Sequence, residues 1–139
     1  MLHLSPAMKT TEIILQELAA AIQDLPYISE TDAFWETITW PGSVAPTPAT
    51  ILAWHNTPDM PIRLDDFVRM FRAPTTAHEG LSESGLQRVR RYRQLVSLLQ
   101  ENLADIAIFR IGGVEQTVYV LGRTAQGVWL GLKTHASET

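Results

Sequence analysis

The chain has 139 residues, 45% of them hydrophobic, which is enough apolar material for one domain with a real core. It contains no cysteine, so disulfides and thiolate metal sites are excluded. A formal net charge of -4 is mild and gives no reason to expect direct contact with nucleic acid.

Residues 1–8 read as a flexible leader, without the basic start and apolar run of a secretory signal. No apolar stretch approaches the roughly 20 residues that cross a bilayer. A cytoplasmic protein with one domain over residues 9–139, a monomer when free and without a membrane, is the expectation. A helix is predicted over Thr11–Leu25, where Ile14, Leu18, Ala21, Ile22 and Leu25 fall on one side at the helical period. Thr10 or Thr11 caps its start and Pro26 ends it. Pro26–Ala33 reads as a loop whose tight turn, Ser29–Asp32, exposes Glu30. Phe34–Trp40 then reads as one strand rich in aromatic and β-branched residues, closed by Pro41-Gly42.

Thr47 followed by Pro48 predicts a helix start, and the helix runs to about His55. Ile62–Leu64 is a short strand or extended linker. Asp65 is expected to cap a small helix that turns Phe67, Met70 and Phe71 inward. Ala73–Leu81 is a loop carrying Glu79 and Gly80. Ser82 opens the longest helix, to about Asn102, with Leu86, Val89, Tyr92, Leu95, Val96, Leu99 and Leu103 along its apolar side. Arg88, Arg90, Arg91 and Arg93 are spread around that helix without aromatic platforms, so a solvated surface is favoured over a nucleic-acid stripe.

The last third organises the rest. Ala107–Ile111, Val114–Gly122 and Val128–Thr134 read as adjacent strands, the first two joined at Gly112-Gly113. Val118 and Val120 point one way, Tyr119 and Leu121 the other, so the middle strand is predicted to lie centrally with helices on both faces. A polar tail, His135–Thr139, follows and offers Glu138, the Thr139 hydroxyl and a terminal carboxylate. The element order predicts an α+β or three-layer domain around a small mixed sheet.

No catalytic constellation emerges. His3, His55, His78 and His135 lie in separate segments with no metal-ligand spacing. Gly112-Gly113 lacks the strand–loop–helix context of a phosphate loop, and no serine has nucleophile-elbow spacing. Asp65-Asp66 is accounted for by capping and the helix dipole. A binding protein, rather than an enzyme, with no cofactor and no metal of its own, is the expectation, its working residues on exposed loops.

Several pieces in order carry a resemblance: Glu12-Ile-Ile-Leu-Gln-Glu-Leu, Ser29-Glu30, Trp40 with Gly42 and Ser43, Thr75-Thr76, Asn102-Leu103, Val118-Tyr-Val with Gly122, Gly131, and the terminal Glu138-Thr139. Over residues 9–139 the chain resembles the NuiA-like family, inhibitors of the sugar-non-specific nuclease A of cyanobacteria. The resemblance implies a three-layer α/β/α sandwich of the pathogenesis-related-1-like kind that plugs the active site of a magnesium-dependent DNA/RNA nuclease. It implies that Glu30 and Thr139 approach the partner's magnesium, with Glu79 and Glu138 also at the interface. Where the family has an acid followed by tryptophan, this chain has Glu79-Gly80, so that aromatic anchor is missing. The same fold binding another protein or a small ligand is the alternative.

Overall fold

The computed structural model describes residues 9–138; the leader at residues 1–8 and Thr139 lie outside the described residues. The elements run α1 (Thr11–Ile22), β1 (Pro26–Ile28), β2 (Asp32–Phe34), β3 (Glu36–Thr39), α2 (Pro48–Trp54), β4 (Ile62–Asp65), α3 (Phe67–Arg72), α4 (Glu83–Asn102), β5 (Ala104–Gly112), β6 (Glu115–Arg123) and β7 (Trp129–Ser137). β1 and β2 form a separate hairpin, and the other strands form one sheet in the order β3-β7-β6-β5-β4. Every pair among the described residues is antiparallel, which corrects the expected mixed sheet. Each sheet neighbour is reached by a hairpin or a return across one face, so no parallel crossover is required.

β6 occupies the centre, and its alternation sorts two apolar clusters onto the two faces. Val118 and Val120 join Ile14, Leu18, Tyr92, Leu95 and Leu99 of α1 and α4. Tyr119 and Leu121 join Ile51 of α2, with Trp40, Phe109 and Trp129. All four β6 side chains are buried, as their two-sided apolar pattern predicts. Gly131 of β7 leaves no room for a side chain: an added Cβ would stand 1.8 Å from the Val120 carbonyl oxygen of β6.

The helix starts follow local chemistry. The Thr10 side chain accepts from the Ile13 amide, Ser82 accepts from that of Gly85, and Thr47 and Thr50 form a reciprocal capping box with Pro48 inside it. α1 stops three residues short of the predicted Leu25, because Asp24 adopts a left-handed φ of 55°. Arg91 closes that end by donating to the carbonyls of Ala21 and Gln23, at 3.0 and 2.6 Å. Arg93 donates to the Thr75 carbonyl at 2.9 Å, so these two arginines bind backbone within the fold and are not simply solvated. Leu86, expected on the apolar side of α4, is 37% exposed.

Two further expectations are corrected. Phe34–Trp40 is not one strand: the chain leaves the hairpin and enters the main sheet at Trp35. Its indole is buried, edge-on to Tyr27 and stacked on Phe71, and its N–H donates to the Tyr92 hydroxyl at 2.9 Å. That anchoring overrides the strand propensity of the segment. The last strand does not end at Thr134 either. Its pairing with β6 continues to Glu115 opposite Ser137, so residues 135–137 belong to the sheet.

Leu99 is fully buried in the α1–α4 layer, whereas Arg90 faces outward. Leu99→Ala is expected to cost about 2–5 kcal/mol, and Arg90→Ala less than about 0.5 kcal/mol. Urea unfolding midpoints measure both, and equal shifts would overturn the helix phase.

Candidate functional site

The β1–β2 hairpin and the end of β7 meet through short polar residues. Ser29 favours the turn that joins the two short strands, since its hydroxyl reaches backbone two residues on. The Ser29 hydroxyl donates to the Thr31 carbonyl at 2.8 Å and accepts from the Ser137 amide at 3.0 Å. The Glu30 amide donates to the Ser137 carbonyl at 3.3 Å, and the Thr31 and Ser137 hydroxyls lie 3.0 Å apart. The Ser137 hydroxyl also donates to the Glu115 carboxylate. Glu30 is thus exposed on a turn stitched to the last strand, more than 100 residues further along the chain.

Glu138 comes next. Its amide donates to the Val114 carbonyl at 2.8 Å, so the backbone is held one residue past the strand. Its carboxylate accepts from Arg110 at 3.2 Å and from Arg63 at 3.1 Å. Arg110 is the buried member of this cluster, its side chain 4% exposed. The guanidinium donates to the Asp65 carboxylate at 2.7 Å, to the Gln116 side-chain oxygen at 3.2 Å and to the Tyr27 hydroxyl at 3.3 Å. Asp65 therefore does not cap α3, as its position suggested. Asp66 does so, accepting from the Arg69 amide at 2.8 Å. Burial alone would raise the Asp65 carboxyl. The hydrogen bonds from Arg110 and the Asp66 amide, with the charges of Arg110 and Arg69, outweigh it and hold Asp65 below the usual carboxylate range.

Glu79 stands apart, exposed on the 73–81 loop. That loop is fixed where Thr75 and Thr76 donate to the Phe71 and Arg72 carbonyls, both at 2.6 Å. Gly80 follows at a φ of 86° with open space around it. Between this loop and β1 runs a groove of about 260 Å³ lined by Pro26, Ile28, His78, Leu81, Arg88 and Tyr92. The hairpin also leaves Ile28 52% and Phe34 64% exposed, Ile28 at the groove and two residues before Glu30, Phe34 at the far end of the hairpin opposite Pro26.

The structure thus joins Glu30 to the segment ending at Glu138, sets Glu79 across a groove, and leaves Thr139 outside the described residues. Glu138, expected as a contact residue, is engaged in ion pairs within the chain. Sequence reasoning passed over Arg110, Tyr27 and Gln116, and read Asp65 only as a helix cap. The available signal was an arginine inside the apolar run Ala107–Ile111, where a central strand tolerates charge only if it is paired. Among the described residues no group of three or more His, Asp or Glu could hold a metal, and no helix is long and apolar enough to cross a membrane.

Fold and site define an α/β protein on an antiparallel sheet, with acidic side chains gathered around one end of its last strand. The chain belongs to the family of nuclease A inhibitor-like proteins, whose model matches residues 12–139. A search among curated proteins gave no match.

The depressed Asp65 carboxyl gives a pH test. A group whose folded value lies below its unfolded value stabilises fully above the unfolded value, about 3.9 for Asp. That contribution disappears as pH falls through the folded value. Asp65→Asn, which leaves a buried guanidinium short of its anion, is expected to destabilise by about 3 kcal/mol at neutral pH. The gap from the parent protein should narrow below about pH 4, as followed by chemical denaturation across pH. A gap that stays constant down to pH 2 would contradict the assignment.

Proposed function

We propose that this protein inhibits a sugar-non-specific, magnesium-dependent nuclease of DNA and RNA by seating Glu30 and Thr139 in its active site. The family match supports the inhibitor role. The observation that carries the finer reading is the stitching of the Glu30 turn to Ser137: the Glu30 amide on the Ser137 carbonyl, and the Ser137 amide on the Ser29 hydroxyl. Two segments far apart in sequence leave the surface together, so acids from both can converge on one cationic point.

The chemistry fits such a target. A nuclease cleft is electropositive, and a divalent magnesium ion prefers hard oxygen ligands or ordered water. Carboxylate oxygens presented on a fixed turn imitate the non-bridging oxygens of a phosphodiester. They offer no scissile bond, so the enzyme is occupied without turnover. The net charge of -4 favours approach to a cationic cleft. Ile28, two residues before Glu30, and Phe34 on the same hairpin offer exposed apolar surface, while Gly80 stands in place of the family's aromatic anchor. Glu79, across the groove, meets the enzyme nearer its rim.

Titration against a sugar-non-specific nuclease in magnesium tests the reading. Glu30→Ala and deletion of Thr139 are each expected to weaken inhibition by about 2–5 kcal/mol, and Glu79→Ala by less. Thermal midpoints should stay nearly unchanged. Raised salt should slow association more than it speeds release. Full inhibition by both the Glu30→Ala and the Thr139-deleted proteins would overturn the reading, and a complex without inhibition would indicate a different partner or another face.

A further inference from the structure

Arg110 is buried, yet it touches both segments that the proposed function brings to the nuclease. Its Nη2 donates to the Tyr27 hydroxyl, on the hairpin that carries Glu30. Its Nη1 donates to the carboxylate of Glu138 at the end of the described chain. Behind it, Asp65 accepts from Nε at 2.7 Å and the Gln116 side chain accepts from Nη1. A guanidinium is planar, permanently charged and forked, so it fixes the angles between its partners in a way that a lysine ammonium does not.

We infer that Arg110 is a positioning residue: it sets the hairpin and the chain end in one mutual register, and so determines the efficiency of an interface it never reaches. The inference rests on the inhibitor reading given above. Its physical basis does not, because the same contacts hold in the free protein. Asp65 and Gln116 anchor the guanidinium to β4 and β6, which are parts of the sheet. Tyr27 and Glu138 are then the two places where that base reaches β1, a three-residue strand, and the last described residue. Buried charge of this kind gives little net stability but strongly restricts geometry when fully satisfied.

The test severs one tether at a time, using Tyr27→Phe and Glu138→Gln, with Arg110→Lys as the central change and Arg63→Gln as a control on the exposed side of Glu138. Amide hydrogen exchange in the free protein is read at Glu30 and Glu138, whose N–H groups donate to the Ser137 and Val114 carbonyls. Glu138→Gln and Arg110→Lys should accelerate exchange at both amides by about tenfold, relative to core amides of β6. Both should weaken inhibition while the Glu138→Gln urea midpoint stays close to that of the parent. In either background, adding Glu30→Ala should cost less inhibition than it does in the parent, because the acid is already out of register. Tyr27→Phe should speed exchange at Glu30 more than at Glu138, and Arg63→Gln should do little to either.

Unchanged exchange at both amides in Arg110→Lys, or a Glu30→Ala effect of undiminished size in that background, would overturn the positioning role. Should Arg110→Lys fold poorly, Glu138→Gln and Tyr27→Phe decide it by the same two readouts. Failure of the inhibitor reading is recognised separately. It appears as full inhibition by Glu30→Ala and by the Thr139-deleted protein in the parent background, and the exchange rates then still decide whether Arg110 sets the register of the two segments.

Discussion

A guanidinium cannot shed its charge inside a protein, so placing Arg110 in the interior of the sheet end obliges the fold to build an answer around it. The answer draws on four parts of the chain: Asp65 from β4, Gln116 from β6, Tyr27 from the hairpin and Glu138 beyond β7. Asp65, Gln116 and Tyr27 are largely buried with Arg110, whereas the Glu138 carboxylate stays partly in solvent. The hairpin and the residue that follows β7 are therefore tied to one another through a buried group. The Ser29–Ser137 stitching joins the same turn and strand end a second time, directly.

The strong regularities were legible in the sequence. The one-sided period of α1 and α4 and the two-sided pattern of β6 each read correctly, because burial on one stripe or on both faces leaves a repeat that the residues display locally. What was hidden depended on distance along the chain. Asp65 lies 45 positions from Arg110 and Tyr27 lies 83 away, and nothing in either neighbourhood advertises the partnership. Asp65-Asp66 looked like a helix start, and half of it is one. The local rule applied to both residues, and tertiary structure recruited the first elsewhere. Trp35 misled for a related reason. An aromatic within a β-rich run reads as more strand, yet its indole found a stack on Phe71 and an acceptor in Tyr92, and the backbone broke to deliver it. The tail was read from composition as a polar segment beyond the last strand, although Ala136 is buried and the ladder with β6 holds through Ser137.

The surface around Glu30 combines features that are usually found together where one protein closes on another. The hairpin that carries the Glu30 carboxylate also exposes Ile28 and Phe34, with the groove against Ile28 and a second acid, Glu79, on the loop beyond it. Apolar centre and polar margin are the ordinary anatomy of such contacts, the first excluding water and the second fixing orientation. The hairpin that bears these residues is only three paired positions long, and a two-stranded ribbon of that size has little stability alone. Its rigidity is borrowed from Trp35, Tyr27 and the end of β7.

Gly131 extends this dependence into the middle of the sheet. With a Cβ it would collide with the Val120 carbonyl oxygen, so a single methyl group at that point would wedge β7 off its neighbour. Six residues separate Gly131 from Ser137, about 20 Å of extended strand. A strand that long transmits a pivot at one end as a displacement at the other. The accuracy of the outer tip is thus inherited from a spacing deep in the molecule, and substitutions with no surface exposure can mistune the tip while the fold survives.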